Sequence, residues 1–187
     1  MVRILRLSVP KWAKVGQRGT GPRSGGVRSL ASFRGSFRHS IDSKCRLALP
    51  KPFRRIVGVK QPDEPEPFLI FTKGFNGCIA VYTEDEWPQY ERRLRDRPFV
   101  DQGARDFALE LADYTADVPV DTVGRVLIPQ IHLDLGGFAK NEEIQVLGMF
   151  DHIELWNLKR LEERRKGSKG SFEERASDFF NLTDRRT

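Results

Sequence analysis

The sequence predicts an α+β fold, mainly β, assembled from an internal duplication with helices at its flanks. Three observations predict it. The frame Asp-x-x-x-Arg, then alternating apolar residues, then Pro, occurs twice, as DSKCRLALP at 42–50 and DTVGRVLIP at 121–129. Each copy is followed by a short helical stretch and then by a hairpin rich in β-branched and aromatic residues. The order of these pieces is the same both times, which is the mark of a repeat. The copies are offset by 79 residues at the Asp (42 and 121) and by 74 at the second hairpin strand, where Ile79 matches Ile153. The difference falls at the acidic, Pro-rich QPDEPEP, and loops absorb length change at little cost.

Taken in order, FRGSFRHSID from Phe33 alternates like a short strand, and RLALP continues as a second strand that ends at Pro50. KPFRRIV reads as a short helix with a basic face. FLIFTKGFNGCIAVYT reads as a hairpin around Gly-Phe-Asn-Gly. A helix is expected to begin at Thr83, where Thr-Glu-Asp-Glu has the spacing of a capping box, and to run through WPQYERRLRDR. A further helix is expected across 101–114, with Phe107, Leu109 and Leu111 as its apolar contacts. The second half repeats the programme: DVPVDTVGRVLIP as strand, turn and strand, QIHLDLGG as a short helix closed by Gly, EEIQVLGMFDHIELWN as a hairpin, and LKRLEERRK as a helix. Trp87 and Trp156, after the two hairpins, are expected in helix packing or at a subunit interface. The end of the chain has a Gly/Ser linker and a short amphipathic piece around Phe172, Phe179 and Phe180.

Charge is unevenly spread. The chain carries a net +6, yet residues 1–40 hold nine of its 32 Lys and Arg and no acid. What remains, 23 basic against 26 acidic residues, gives −3 for positions 41–187. Binding to a polyanion therefore has to come from where individual cations sit, not from bulk charge. Residues 1–32, rich in Gly, Ser and Arg, are expected to be disordered, either as a basic arm with nonspecific phosphate affinity or as an extension without a role. No apolar run approaches the roughly 18 residues that cross a bilayer. Cys45 and Cys78 lack metal-ligand spacing, so neither metal nor cofactor is expected, and the chain is read as a reduced, cytoplasmic protein.

The repeated frame has a physical reading. Asp121 accepts N–H bonds from its own turn, Gly124 takes positive φ without steric cost, and Arg125 projects at the start of the outgoing strand. In the first copy Asp42 and Arg46 take the same places, but Cys45 stands where Gly124 does. A strained or differently shaped first turn is therefore expected.

The stretches FRGSFRHSIDSKCRLALPKPFRR, GFNGCIAVYTEDEW, DVPVDTVGRVLIP and IELWN closely resemble the MraZ family, over roughly Phe33 to Arg165. Relative to that family, residues 1–32 are extra. The resemblance implies a barrel of the double-ψ or swapped-hairpin, AbrB-like kind, with a first half-domain and its helices at 33–113, a second at 114–165, and a C-terminal segment at 166–187. It also implies a nucleoid-associated regulator that assembles into a homo-oligomeric ring and binds double-stranded DNA at short direct repeats upstream of the division and cell wall gene cluster. The DNA-facing motifs fall on Asp42, Lys44, Arg46, Asp121 and Arg125, and Arg34 with Gly35 matches the family's Phe-Arg-Gly. Arg46 and Arg125 have planar forks suited to guanine edges or phosphates. Lys44 suits phosphate, and Arg34, Arg38, Arg54 and Arg55 widen the basic edge, while Asp42, Asp121 and Gly124 orient the motif.

Two other readings remain at this stage: an AbrB-type antitoxin, and a structural ring protein without sequence-specific DNA binding. An enzyme is disfavoured, since the chain lacks a nucleophile elbow, a phosphate-cradling Gly loop and a His-Glu-x-x-His zinc motif.

Overall fold

The alternation of FRGSFRHS becomes strand β1 (Phe33–Ser40) in the computed structural model, which describes residues 32–58, 66–96 and 101–184. The basic N-terminal stretch and most of QPDEPEP lie outside the described residues. Strand β2 (Arg46–Ala48) is short because Pro50 cannot extend the ladder; Pro50 instead caps helix α1 (Lys51–Val57), whose chain leaves through Gly58 at φ 73°. The first hairpin is β3 (Phe68–Lys73) and β4 (Ile79–Thr83), joined by a single 3-10 turn at Phe75–Gly77.

Helix α2 (Trp87–Arg95) begins four residues later than the capping-box frame predicts. Thr83 is held in the sheet opposite Leu69, and Pro88 favours a first helical turn at Trp87, since that turn needs no N–H from it. The Glu86 N–H still reaches Thr83 Oγ1, at 3.3 Å. Helix α3 (Gln102–Asp113) is where the sequence predicts it, capped by Asp101 through the Ala104 N–H. Of its three expected contacts only Leu111 is buried; Phe107 is 40% and Leu109 57% exposed. Phase explains Leu109, which stands about 200° around the helix from each of the other two; Phe107 shares the Leu111 face one turn earlier and lies part-exposed beside the Phe75–Gly77 turn.

The second half supplies β5 (Ala116–Pro119), β6 (Arg125–Leu127), α4 (Gln130–Gly136), β7 (Glu143–Phe150), β8 (Ile153–Asn157) and α5 (Leu158–Lys166). Residues Phe172–Asp184 then form α6. Among the described residues none of these helices is long and apolar enough to cross a membrane.

The strands interleave. One antiparallel six-stranded sheet runs β1-β7-β8-β4-β3-β5, and β2 pairs with β6 in a separate two-stranded ribbon. Thus β1 lies on the second hairpin, with Phe33 opposite Phe150 and Ser40 opposite Glu143, while β5 lies on the first, with Phe68 opposite Pro119. Gln145 ties β1 to β7, donating to the Phe37 carbonyl at 2.7 Å and to Ser36 Oγ at 3.0 Å. Gly35 and Gly148 face each other across this pair; a Cβ on Gly148 would sit 2.5 Å from the Phe33 carbonyl carbon, so the close approach requires glycine.

Both halves feed one core, with Phe33, Leu47 and Phe53 packed beside Val126, Ile144 and Ile153. Phe53 is its wedge, edge-on to Phe33 and to Phe37 with ring centroids 5.2 Å apart in both cases. Trp156 is buried with Cys78 and Leu161, so it packs α5 onto the sheet, whereas half-buried Trp87 stacks on Tyr90 near Tyr82. Beside them His152 stacks on Tyr82, its Nδ1 2.6 Å from Asp151 and its Nε2 3.6 Å from Glu154. Burial lowers the pKa of this imidazole, but the two carboxylates outweigh burial and hold it above its ordinary value. His132 goes the other way: fully buried, with Nε2 2.8 Å from the Tyr114 carbonyl, it is held below the ordinary value by burial.

Phe53→Ala is expected to cost about 3–5 kcal/mol in chemical denaturation, as for other buried Phe truncations, whereas Leu109→Ala stays within about 0.5 kcal/mol. The His152 pair contributes stability fully below the unfolded pKa of about 6.5 and loses it as pH rises through the raised folded value. Melting temperature measured from pH 6 to 9 should therefore fall on the alkaline side in the native protein, about 6 being where His152 is charged in both states. His152→Gln should flatten that limb up to about pH 8, above which the buried Cys78 thiol adds a loss of its own, and should leave the acid-side loss, which belongs to the neutral His132 and His39.

Candidate nucleic-acid interface

The two Asp-x-x-x-Arg turns fold into the same hydrogen-bonded object. Asp42 Oδ1 accepts the backbone N–H of Lys44 at 2.8 Å and of Arg46 at 2.9 Å, while Oδ2 accepts Arg46 Nε at 2.8 Å. Asp121 Oδ1 likewise accepts the N–H of Val123 at 3.0 Å and of Arg125 at 2.8 Å, and its Oδ2 accepts Arg125 Nε at 2.8 Å. One carboxylate thus closes the turn with one oxygen and aims the guanidinium with the other. The pKa of Asp42 is lowered chiefly by the Arg46 backbone N–H; that of Asp121 is lowered because its bonds to Arg125 and Val123 outweigh a burial penalty. Both carboxylates are therefore charged throughout the neutral range.

The turns also lock onto each other. The Leu49 N–H donates to the Gly124 carbonyl at 2.9 Å, and the Ile128 N–H donates to the Cys45 carbonyl at 3.0 Å. Between them β2 and β6 pair with Arg46 opposite Leu127 and Ala48 opposite Arg125. Leu47 and Val126 point inward, so Arg46 and Arg125 stand on the outward face of one ribbon, with side chains 32% and 35% exposed. Asp engages the Nε of each, and in the first copy Arg46 Nη2 also lies 2.8 Å from Asp42 Oδ2, so a ligand meets the side of each fork that is turned away from its Asp.

Cys45 adopts φ 62° and Gly124 φ 81°. The first turn therefore has the shape of the second, with the same bonds, and carries its strain as a non-Gly residue in the left-handed region. What separates the two positions is their neighbour. A Cβ on Gly124 would lie 2.5 Å from Arg54 Cδ, because the Arg54 stem crosses that turn while its Nε donates to the Leu49 carbonyl at 2.7 Å. Position 133, which matches Arg54 in the repeat, is a Leu buried in the core. Nothing in the sequence linked Arg54 to a turn 70 residues away.

The structure thus brings Asp42, Arg46, Asp121, Gly124 and Arg125 together, with exposed Lys44 at the tip of the first turn. Arg34 and Arg38 lie exposed along β1, in register with Met149 and Gln145. Arg34 donates to Ser32 Oγ at 3.0 Å, and at about 3.3 Å per strand residue it stands well away from the ribbon. Sequence reasoning missed the exposed Val123 and Leu127 of the second copy. Cys78 is no nucleophile: burial, with the Glu154 carboxylate adding to it, pushes its thiol up to about 12. Among the described residues no group of His, Cys, Asp and Glu has the arrangement of a metal site.

Comparison with known proteins adds a family. Transcriptional regulator MraZ of Acetivibrio thermocellus is 34% identical over 130 residues, covering 70% of this chain and 84% of that protein. The chain belongs to the MraZ family. Residues 32–109 match the family described as "MraZ protein, putative antitoxin-like". The MraZ regulator of Desulforamulus reducens is 32% identical over 151 residues, covering 80% of this chain and 99% of that one. That of Caldanaerobacter subterraneus subsp. tengcongensis is 34% identical over 151 residues, covering 79% and 98%. Among solved structures, the solution structure of PHS018 from Pyrococcus horikoshii overlaps with a TM-score of 0.32 at 18% identity, covering 67% of this chain and 98% of that one. An overlap that low says nothing about the fold.

The asymmetry of the turns is open to measurement by urea denaturation. Gly124→Ala should cost about 1–3 kcal/mol, from the φ of 81° and the Arg54 contact together. Cys45→Ala, which keeps a Cβ in a conformation already occupied by one, should cost clearly less, and Cys45→Gly should leave stability unchanged or raised. Adding Arg54→Ala to Gly124→Ala should recover part of the loss; strict additivity of the two would show that Arg54 is not its source.

Proposed function

We propose that this MraZ family member is a sequence-specific DNA-binding regulator of transcription, whose contacts are the paired guanidinium forks of Arg46 and Arg125. The observation that carries the reading is their presentation: two Arg held by Asp braces on the outward face of one two-stranded ribbon. A ribbon of that width fits the major groove of B-DNA, and an Arg offers bidentate donors to guanine O6 and N7. Lys44 at the tip of the first turn supplies a phosphate contact, and Arg34 and Arg38 extend the cationic edge along β1. The names of the curated relatives, transcriptional regulators all, agree with this role.

The same reading extends to architecture. Two swapped-hairpin, AbrB-like half-domains, 33–113 and 114–165, fuse in one chain so that a monomer imitates a dimer. The exchange of β1 onto the second hairpin and of β5 onto the first supports it, as do the reciprocal bonds of the two turns. One ribbon makes few contacts, so the protein acts as a ring-shaped homo-oligomer in the cytoplasm, on the nucleoid. There many ribbons meet short direct repeats upstream of the division and cell wall genes and gain affinity through effective concentration. An antitoxin role, which the family description raises, predicts instead a protein partner and no need for two matched Arg.

Footprinting on DNA upstream of the protein's own gene should reveal protected, evenly spaced direct repeats. Arg46→Ala with Arg125→Ala should abolish the footprint and weaken binding by at least about 30-fold, from about 1–3 kcal/mol per lost bidentate contact. Unchanged affinity and salt slope in that double variant would remove the assignment.

A further inference from the structure

The outward face of the β2–β6 ribbon carries four side chains: Arg46 across from Leu127, and Ala48 across from Arg125. Positions 48 and 127 correspond in the two frames, and so do 44 and 123. The two ends of the ribbon therefore differ. Lys44 and Ala48 surround Arg46, whereas Val123 and Leu127 surround Arg125. Val123 is 56% and Leu127 57% exposed, while Ala48 is half-buried and one carbon long. A singly exposed leucine is ordinary. What gives Leu127 meaning is its place, directly across from one guanidinium-bearing residue and two residues along the strand from the other.

An apolar protein surface laid on this face would have to cover both guanidinium groups, and burying charge without new partners is costly. The DNA major groove suits the mixture better. It offers acceptors to the forks, and its one apolar projection is the thymine 5-methyl group. Opposite side chains on a ribbon stand about 4.5–5.5 Å apart, and bases follow one another at about 3.4 Å along a strand.

We infer that Leu127 is a specificity-determining residue that packs against a thymine 5-methyl group one or two base steps from the base contacted by Arg46. This rests on the DNA-binding reading above. Because Ala48 stands back at the matching position, only one end of the ribbon senses the methyl. One chain therefore reads its site with a direction, which suits head-to-tail repeats better than palindromes.

The test uses the full chain and the duplex directly upstream of its own gene, prepared with thymine or with uracil, which pairs identically but lacks the methyl. Affinity is read by fluorescence anisotropy. The native protein should lose about fourfold in affinity on the uracil duplex for each methyl contact, the worth of one buried methyl group. Leu127→Ala should bind both duplexes alike, at the native protein's uracil level, with an unchanged salt slope since no phosphate contact is lost. Equal binding of both duplexes by the native protein overturns the inference, as does methyl sensitivity that survives in Leu127→Ala. A change in oligomeric mass on Leu127→Ala without methyl sensitivity also overturns it, and assigns the residue to a subunit contact. Failure of the native protein to bind either duplex is a different result, and it removes the DNA-binding reading itself.

Discussion

The structure depends on a reciprocal pair of backbone hydrogen bonds, Leu49 N–H to the Gly124 carbonyl and Ile128 N–H to the Cys45 carbonyl. Each joins the end of one Arg-bearing strand to the left-handed residue of the opposite turn. For those carbonyls to face across, residues 45 and 124 must hold positive φ, and each tight turn in turn needs an acceptor for its crowded N–H groups. Asp42 and Asp121 supply it, and their second oxygens fix the Arg side chains as a consequence. Pro50 and Pro129 follow because the strands must stop there and start helices that fold back over the core. The frame that recurs in the sequence is the list of residues this one contact requires.

Interleaving gives the contact its stiffness. Since β1 belongs to the second hairpin and β5 to the first, neither repeat can close its own sheet. Phe33 and Phe53 from one repeat and Val126 and Ile144 from the other fill the same core, so loosening either side exposes apolar surface on both. Gln145, reaching from β7 to the Phe37 carbonyl, satisfies a buried amide on the same seam. The ribbon is short, but it is mounted on a core to which both halves contribute.

Much of this was legible in the sequence. The positions of β1, both hairpins, α1, α4 and α5 follow from periodicity and punctuation, and the Asp brace follows from turn chemistry. The failures have a common physical cause, which is competition from partners distant in sequence. Thr83 has capping-box spacing, but its pairing with Leu69 keeps it in the sheet until Pro88 permits a helix. Cys45 looked like a strained exception, yet it holds the same turn as Gly124, because the reciprocal bonds dictate its φ whatever the side chain. The true constraint fell on the other copy, where Arg54 occupies the space a Cβ would need. Likewise Leu109 looked like core by composition, and only its helical phase, opposite to that of Leu111, reveals that it is not.

The net −3 of residues 41–187 looks unfavourable for binding a polyanion until the acids are located. Asp42 and Asp121 are spent as acceptors inside the turns, and Glu110, Glu91 and Glu162 each sit beside a cation, Lys73, Arg95 and Lys166. A braced guanidinium has a second advantage over a free one. A long Arg side chain loses about 0.5–1.5 kcal/mol of rotamer freedom when a ligand immobilises it. For Arg46 and Arg125 the fold has already imposed that loss through the bonds to Asp, which take Nε of both and also Nη2 of Arg46, so a ligand meeting the outer side of each fork need not order it again. The Asp residues lower the net charge, but through this orientation they strengthen what the remaining charge can do.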